Sequence, residues 1–544
     1  MTMREPMEPG PAVASAARRW PWLLTAPTFD GLVRRRASVT PDAVMLVDAQ
    51  GDSLSWAEFD RRTSGVARAL AAQGIGPGTR VAWQLPTRIS TALVMAALRR
   101  LGAVQAPLVP LYRDRELTAA LATAEAEFFL VPGIWRGVDY VALAGTVARV
   151  LSAAGRTAPR VLDIGHHAPE AHDTTATGAD VTAFPPPDPD GVAWIHFTSG
   201  STGPPKGARH SDTSLLVPGL SFAGIGELGR KSGEFGAMGF PIAHVGGVQY
   251  LIAALAAGFP LLLLEAFTPG EAVELFRRHG VTTTGGAPPF YTMLVEQARG
   301  DPGTRPVPTL RSVKGGGAPC PPHLVGEVAD ALGAVLAHDY GMTEVPMIAV
   351  ASPSDAPAVL AATDGRPLPD NQLRLVAADG AGAPPGTVGE VQVRGPGVCH
   401  GYTDPEATAA AFTPDGWFRT GDLGFLHDTG HVEVVGRVED LVIREGEKIV
   451  PLEIETLLVN HPDVAEAAVV GLPDTDRGER VCAVVVVKPG RRAPTVVELG
   501  EWLTDAGLTR QKHPEQVEVV DALPRTGPLK VAKSQLRRRF APVG

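Results

Sequence analysis

The stretch FTSGSTGPPKGARHSD, residues 197–212, sets hydroxyls and glycines ahead of a lysine that stands between Pro205 and Gly207. Gly200 and Gly203 let the backbone approach an anion closely, the hydroxyls of Thr198, Ser199, Ser201 and Thr202 donate to phosphate oxygens, and Lys206 neutralises charge. This is a phosphate loop, but not a Walker A loop, which needs Gly-Lys followed by Ser or Thr. A flexible linker is the competing reading, and linkers rarely arrange Pro-Pro-Lys behind so ordered a Ser/Thr/Gly series. The turn-rich segment 184–191 and the apolar run 192–197 predict a buried strand leading into the loop. Strand ends are where α/β sheets place ligands.

Upstream, Ser55 and Glu58 form a capping box that opens an amphipathic helix, glycines at 74–78 end it, and residues 81–85 read as a short strand. A helix near 90–101 and an apolar strand at 104–109 repeat that rhythm, which argues for parallel sheet covered by helices. Beyond Arg437 the pattern changes to a strand at 440–443, a helix from Pro451, strands at 465–471 and 481–487, and a helix from Val496. The expected division is an α/β domain over 1–437 and a small α+β domain over 438–544.

A chain of 544 residues with 44% hydrophobic and 20% charged residues is an ordinary globular composition, too long for one core. A net charge of −10 gives no basic footprint for nucleic acid. Cys320, Cys399 and Cys482 make neither a disulfide framework nor metal-ligand spacing, so a reducing cytoplasm is the expected location. Arg18-Arg19 precedes an apolar stretch broken by proline, which reads as an N-terminal arm, and the longest apolar run, 251–264, is too short and too interrupted to span a bilayer. The pattern of glycines at 224–229 formally fits a dinucleotide fingerprint but lacks the following helix and acidic residue, so it reads as a surface turn.

Four ordered motifs, over nearly the whole chain, resemble the adenylate-forming superfamily of acyl-CoA synthetases, luciferases and peptide-synthetase adenylation domains. They are the phosphate loop, Lys314 to Pro319, Asp339-Tyr340-Gly341-Met342-Thr343-Glu344, and Trp417 to Asp422 with Arg437. The resemblance implies an N-terminal domain of three subdomains, two α/β sheets plus a β-barrel-like one, and a mobile C-terminal domain turning at Glu439. It implies that ATP, or the AMP of an acyl-adenylate, is held by Tyr340 on adenine, Thr343 at the α-phosphate, and Asp422 with Arg437 at the ribose. Gly317, Ala318 and Pro319 fall on the adenine side, and Glu344 supplies the hard oxygen that Mg²⁺ prefers.

The same resemblance places His244, Val245, Gly246, Gly286, Gly315 and Gly316 around the acyl group and Gly446 beside the pantetheine of coenzyme A, the expected acceptor. No Asp or Glu occurs between residues 238 and 247, where amino-acid-activating relatives offer a carboxylate, so an apolar carboxylic acid is favoured. Lys530 falls at the family's adenylation lysine, yet Leu529 stands where the motif glycine belongs. That departure suggests weakened adenylation, with the acyl-adenylate supplied by a partner ligase. The alternatives are an ordinary two-step fatty or aromatic acid–CoA ligase, an amino-acid-adenylating enzyme, a nicotinamide oxidoreductase and a non-catalytic nucleotide binder.

Overall fold

The computed structural model describes residues 26–170, 187–198, 205–300, 305–526 and 530–541. These fall into two compact units: one takes the described residues up to Gln372 with Val393–Phe418, the other takes Leu373–Gln392 and everything described from Arg419 on. The N-terminal arm with Arg18-Arg19 lies outside the described residues.

Two sheets organise the first unit. One has six strands in the order Lys206–His210, Trp194–Thr198, Val104–Pro107, Arg80–Trp83, Phe128–Val131, Arg160–Asp163. Its described pairings are parallel except the first, the antiparallel pair that brackets the phosphate loop. The other has seven strands, running Val335–His338, Ser312–Gly315, Thr283–Gly285, Gly236–Met238, Leu261–Leu263, Val44–Val47 and Ser53–Ser55. Only its terminal hairpin is antiparallel, so the carboxyl ends of its parallel strands share one edge.

Helices Ile89–Arg100, Asp212–Ile225 and Val245–Ala257 contribute to one core cluster with residues of both sheets. Their sequences are apolar nearly all round, as helices packed on more than one side must be. The apolar run at 251–264 is thus the end of one such helix followed by the strand Leu261–Leu263. Ser55 and Glu58 close the expected capping box on helix Trp56–Ala72. Gly224 lies in the last turn of helix Asp212–Ile225, and residues 226–229 form the expected turn behind it, with Gly229 exposed and Leu228 buried. No helix among the described residues is long and apolar enough to cross a membrane.

The second unit holds a four-stranded sheet, Gln372–Val376, Gly389–Arg394, Phe418–Leu426 and Val432–Arg437, most of whose residues belong to it. It also holds a five-stranded sheet built on the long antiparallel pair Val464–Asp474 and Gly478–Val487. The strand expected at 440–443 is displaced to Val442–Arg444 behind a 3₁₀ turn at Val438–Asp440. Asp440 ends that turn, and its carboxylate faces Arg537 at 3.3 Å and Lys533 at 3.9 Å.

A buried carboxylate fastens the first unit. Asp212, first residue of its helix, accepts Nε and Nη2 of Arg99 at 3.0 Å each, the Trp194 indole N–H at 2.9 Å and the Phe29 amide at 3.1 Å. Its side chain is 0% and that of Arg99 2% exposed. Removing one partner of such a pair strands the other charge in the core, at about 3–5 kcal/mol, whereas an apolar pair of similar volume is tolerated. Asp212→Ala is therefore expected to lower the urea midpoint followed by tryptophan fluorescence far more than Asp212→Leu combined with Arg99→Met.

Candidate active site

In the strand pair at the sheet edge Lys206 stands opposite Thr198, which brings the ends of the phosphate loop together. Ser199, Gly200, Ser201, Thr202 and Gly203 themselves lie outside the described residues. Residues 400–403 run beside the second strand: His400 N–H donates to Arg209 O at 2.8 Å, Arg209 N–H to Gly401 O at 2.9 Å, and Thr403 N–H to Gly207 O at 2.8 Å. This places Tyr402 between two expected site residues. Lys206 Nζ is 5.4 Å from the centre of its ring, and its hydroxyl donates to Glu344 Oε1 at 2.5 Å. The sequence reading missed Tyr402, because its contacts reach residues far away in the chain and a lone tyrosine carries no spacing signal.

The segment from Asp339 to Glu344 follows directly on the strand Val335–His338. Tyr340 exchanges backbone hydrogen bonds with Ala349, Met342 N–H donates to Val345 O at 2.9 Å, and the Glu344 carbonyl accepts Cys399 N–H at 2.8 Å. A Cβ on Gly341 would stand 2.2 Å from Pro346 O, so this turn closes only with glycine there. Asp339 opens the segment with its side chain packed inside. Its side chain is 1% exposed and turned inward, accepting Ala351 N–H at 3.0 Å and lying 3.6 Å from Lys314 Nζ, with no partner for Oδ2 among the described residues. Burial raises the Asp339 pKa and lowers that of Lys314, against the mutual attraction of the pair.

Two of the glycines expected on the adenine and acyl sides, Gly315 and Gly316, meet a packing constraint within the protein itself. A Cβ at Gly315 would lie 2.1 Å from Gly286 O, and one at Gly316 would lie 1.9 Å from Asp339 O. The ends of three strands therefore stack backbone on backbone, while Gly317, at φ +91°, has open space beside it. His244 is an exposed helix N-cap whose Nδ1 accepts Gly246 N–H at 3.2 Å, and Val245 behind it is buried. Ala318, next to Pro319, offers its carbonyl to His338 Nε2 at 3.0 Å.

In the second unit Asp422 and Arg437 face each other across an antiparallel pair, Arg437 Nε lying 3.1 Å from Asp422 Oδ1. Arg437 Nη1 lies 3.5 Å from Glu439 Oε1, so the expected hinge residue joins the expected ribose pair. Gly446 and Glu445, at φ +84° and +53°, form the two-residue turn between Val442–Arg444 and Glu447–Ile449. The space beside Gly446 is open to 4 Å. Lys530 begins a two-residue strand paired with Arg525–Thr526; its side chain and Leu529 lie outside the described residues.

Residues 33–403 match the model of the AMP-binding enzyme family, and residues 453–530 match that of the AMP-binding enzyme C-terminal domain. The chain belongs to the AMP-binding enzymes. Within this family it falls in the acyl-CoA synthetase branch of the adenylate-forming superfamily and is a ligase. It is 32% identical to a salicyl-AMP ligase / salicyl-S-ArCP synthetase of Mycobacterium tuberculosis, over 98% of this chain and 94% of that one. It is 30% identical to a medium-chain fatty-acid–CoA ligase of Escherichia coli, over 93% and 89%. The crystal structure of ATP-bound MatB from Rhodopseudomonas palustris is similar at TM-score 0.83 and 30% identity, covering 94% of this chain and 99% of that one.

One titrating pair supports the loop that holds Ala318 in this AMP-binding enzyme. Burial pulls the pKa of His338 down, but Asp364 Oδ1 at 2.6 Å from Nδ1 outweighs it and holds the imidazole above its ordinary value. Its stabilising share is then complete below about pH 6.5, the usual histidine value, and is lost as pH rises through the raised folded value. The difference in thermal midpoint between the natural protein and His338→Gln is expected to be larger at pH 6 than at pH 8.5.

Proposed function

We propose that this ligase activates an apolar, aromatic carboxylic acid as its acyl-adenylate and passes the acyl group to coenzyme A. The substrate carboxylate attacks the α-phosphorus of ATP and pyrophosphate leaves; the CoA thiolate then attacks the acyl carbonyl and AMP leaves. The observation that carries the acid class is the His244 corner: an exposed N-cap histidine ahead of Val245 and Gly246, with no acidic residue from 238 to 247 to meet an ammonium. Relatives named for salicylate, a substituted naphthoate and ferulate favour an aryl acid.

The roles follow the residues in place. Lys206 and the loop from Thr198 hold phosphates, Tyr340 faces adenine, and Thr343 donates to the α-phosphate. Asp422, oriented by Arg437 across the strand pair, accepts the ribose hydroxyls, and Gly446 leaves room for pantetheine. Magnesium fits the donor set: Glu344 offers a carboxylate, and no cluster of three or more His, Cys, Asp or Glu among the described residues forms an all-protein site. Such an ion is held by one or two carboxylates together with substrate phosphates, whose charge it offsets. Residues 1–437 and 438–544 would act as the two domains that alternate about Glu439.

A second reading rests on Leu529. A lysine at Lys530 that bridges carboxylate and α-phosphate supplies about 4 kcal/mol at 4 Å and an effective dielectric near 20, or roughly a thousandfold in rate. Where the family glycine uses left-handed backbone angles, leucine costs about 1–2 kcal/mol, and a 1 Å displacement of the lysine about a hundredfold. Adenylation would then be the weak step, with preformed acyl-adenylate from a partner ligase as the working substrate.

A screen of aromatic, fatty and polycyclic acids for CoA thioester formation with ATP and Mg²⁺ tests the first reading; amino-acid-dependent exchange in its place would overturn it. Pyrophosphate exchange measured beside thioester formation from synthetic acyl-adenylate tests the second. Leu529→Gly is expected to raise only the exchange, and brisk exchange by the unaltered protein with its best acid would sink the idea.

A further inference from the structure

His210 closes the strand that leaves the phosphate loop, and neither the sequence reading nor the proposed chemistry uses it. It is 0% exposed, with Nδ1 2.9 Å from Ser214 Oγ and Nε2 2.8 Å from the Thr343 carbonyl oxygen. We propose that His210 is a positioning residue, whose Nε2–H fixes the Thr343 carbonyl and thereby sets the Thr343 hydroxyl and Glu344 carboxylate against the phosphate loop. This rests on the reading that Thr343 and Glu344 meet Mg-ATP.

Hydrogen-bond logic assigns the proton. A carbonyl oxygen only accepts, so Nε2 must carry hydrogen. Burial lowers the pKa of His210 to about 4, so the ring is neutral at pH 7 and Nδ1 is bare. The Ser214 hydroxyl, 2.9 Å from Nδ1 and 3.1 Å from the Ser211 carbonyl, has the nearer acceptor in Nδ1, while its oxygen accepts Ser211 N–H at 3.0 Å. The result is a one-way chain from the N-terminus of helix Asp212–Ile225, through Ser214 and the imidazole, to the Thr343 carbonyl.

The next residue is held to the same strand from the other side. The Glu344 carbonyl accepts Cys399 N–H, and the Glu344 carboxylate accepts the hydroxyl of Tyr402, on the segment that hydrogen-bonds to Gly207 and Arg209. The strand Lys206–His210 is thus a common reference: Lys206 at one end, the anchor of Thr343 at the other, Tyr402 alongside. A histidine kept only to fill volume has no need of a donor directed at the carbonyl of a residue 133 positions away.

Asparagine and glutamine separate the two nitrogens of the ring. His210→Asn can keep the Ser214 bond but is too short to reach Thr343, whereas His210→Gln can place an amide N–H near the Nε2 position. Calorimetry with Mg-ATP and displacement assays with adenosine, which carries no phosphate, supply the readout on the intact chain. His210→Asn is expected to weaken Mg-ATP binding by about tenfold with adenosine binding unchanged, while His210→Gln stays within about threefold of the natural protein. This loss lies below the roughly hundredfold that a full 1 Å misplacement costs.

In the background of Glu344→Gln, His210→Asn is expected to cost less than its own roughly tenfold, because part of its effect runs through Glu344 and the rest through the Thr343 hydroxyl. Equal losses in Asn and Gln variants, or loss of adenosine binding with that of Mg-ATP, would show a packing role and overturn the proposal. Unchanged Mg-ATP affinity in His210→Asn while Glu344→Gln is impaired would remove His210 alone. Unchanged affinity in both would remove the reading of Glu344 on which it rests, and the proposal with it.

Discussion

Four donors converge on the carboxylate of Asp212, and they arrive from three places in the sequence: the amide of Phe29, the guanidinium of Arg99 and the indole of Trp194. Trp194 begins the strand that enters the phosphate loop and Asp212 begins the helix behind the strand that leaves it. The base of the loop is therefore clamped before any ligand arrives. An ion pair this deep is weak evidence of net stability, because desolvation offsets much of its attraction. Its contribution here is registry: it decides which strand, helix and N-terminal segment meet under the loop.

From that clamp the site is assembled by main-chain contacts more than by side chains. The segment with Tyr402 lies against the strand carrying Lys206, and Thr343 and Glu344 are caught by their carbonyls. In the second unit the Asp422–Arg437 pair comes from cross-strand register, which fixes two residues 15 positions apart without a long loop. Charged groups expected to handle ATP are thus placed by backbone geometry that the nucleotide itself does not need to organise, which lowers the entropy cost of binding.

Much of this was legible in the sequence because the signals were local. The capping box at Ser55, the strand before the phosphate loop, the proline-led helix at Pro451 and the α/β character all follow from short patterns, and the ordered motifs carried the family. What escaped was non-local. The partners of Tyr402, the inward turn of Asp339 onto Lys314 and Ala351, and the double hydrogen bonding of His210 each join residues with no common period. The glycine run is visible in the sequence, but the neighbour that demands it at Gly315 and Gly316, the protein's own backbone, is not.

That last point bears on how such a ligase can change its substrate over evolution or in a laboratory library. Gly286, Gly315 and Gly316 cannot grow outward without meeting Tyr291 or a main-chain oxygen, and Gly317, though open, sits at a backbone angle that disfavours L-residues. Steric exclusion closes Gly315 and Gly316, the Tyr291 ring crowds Gly286, and chirality disfavours change at Gly317. In the proposed acyl pocket, change is therefore channelled away from the glycines and toward positions that already present a side chain, such as Val245. A randomised library that spares the glycines would spend its members on folded proteins.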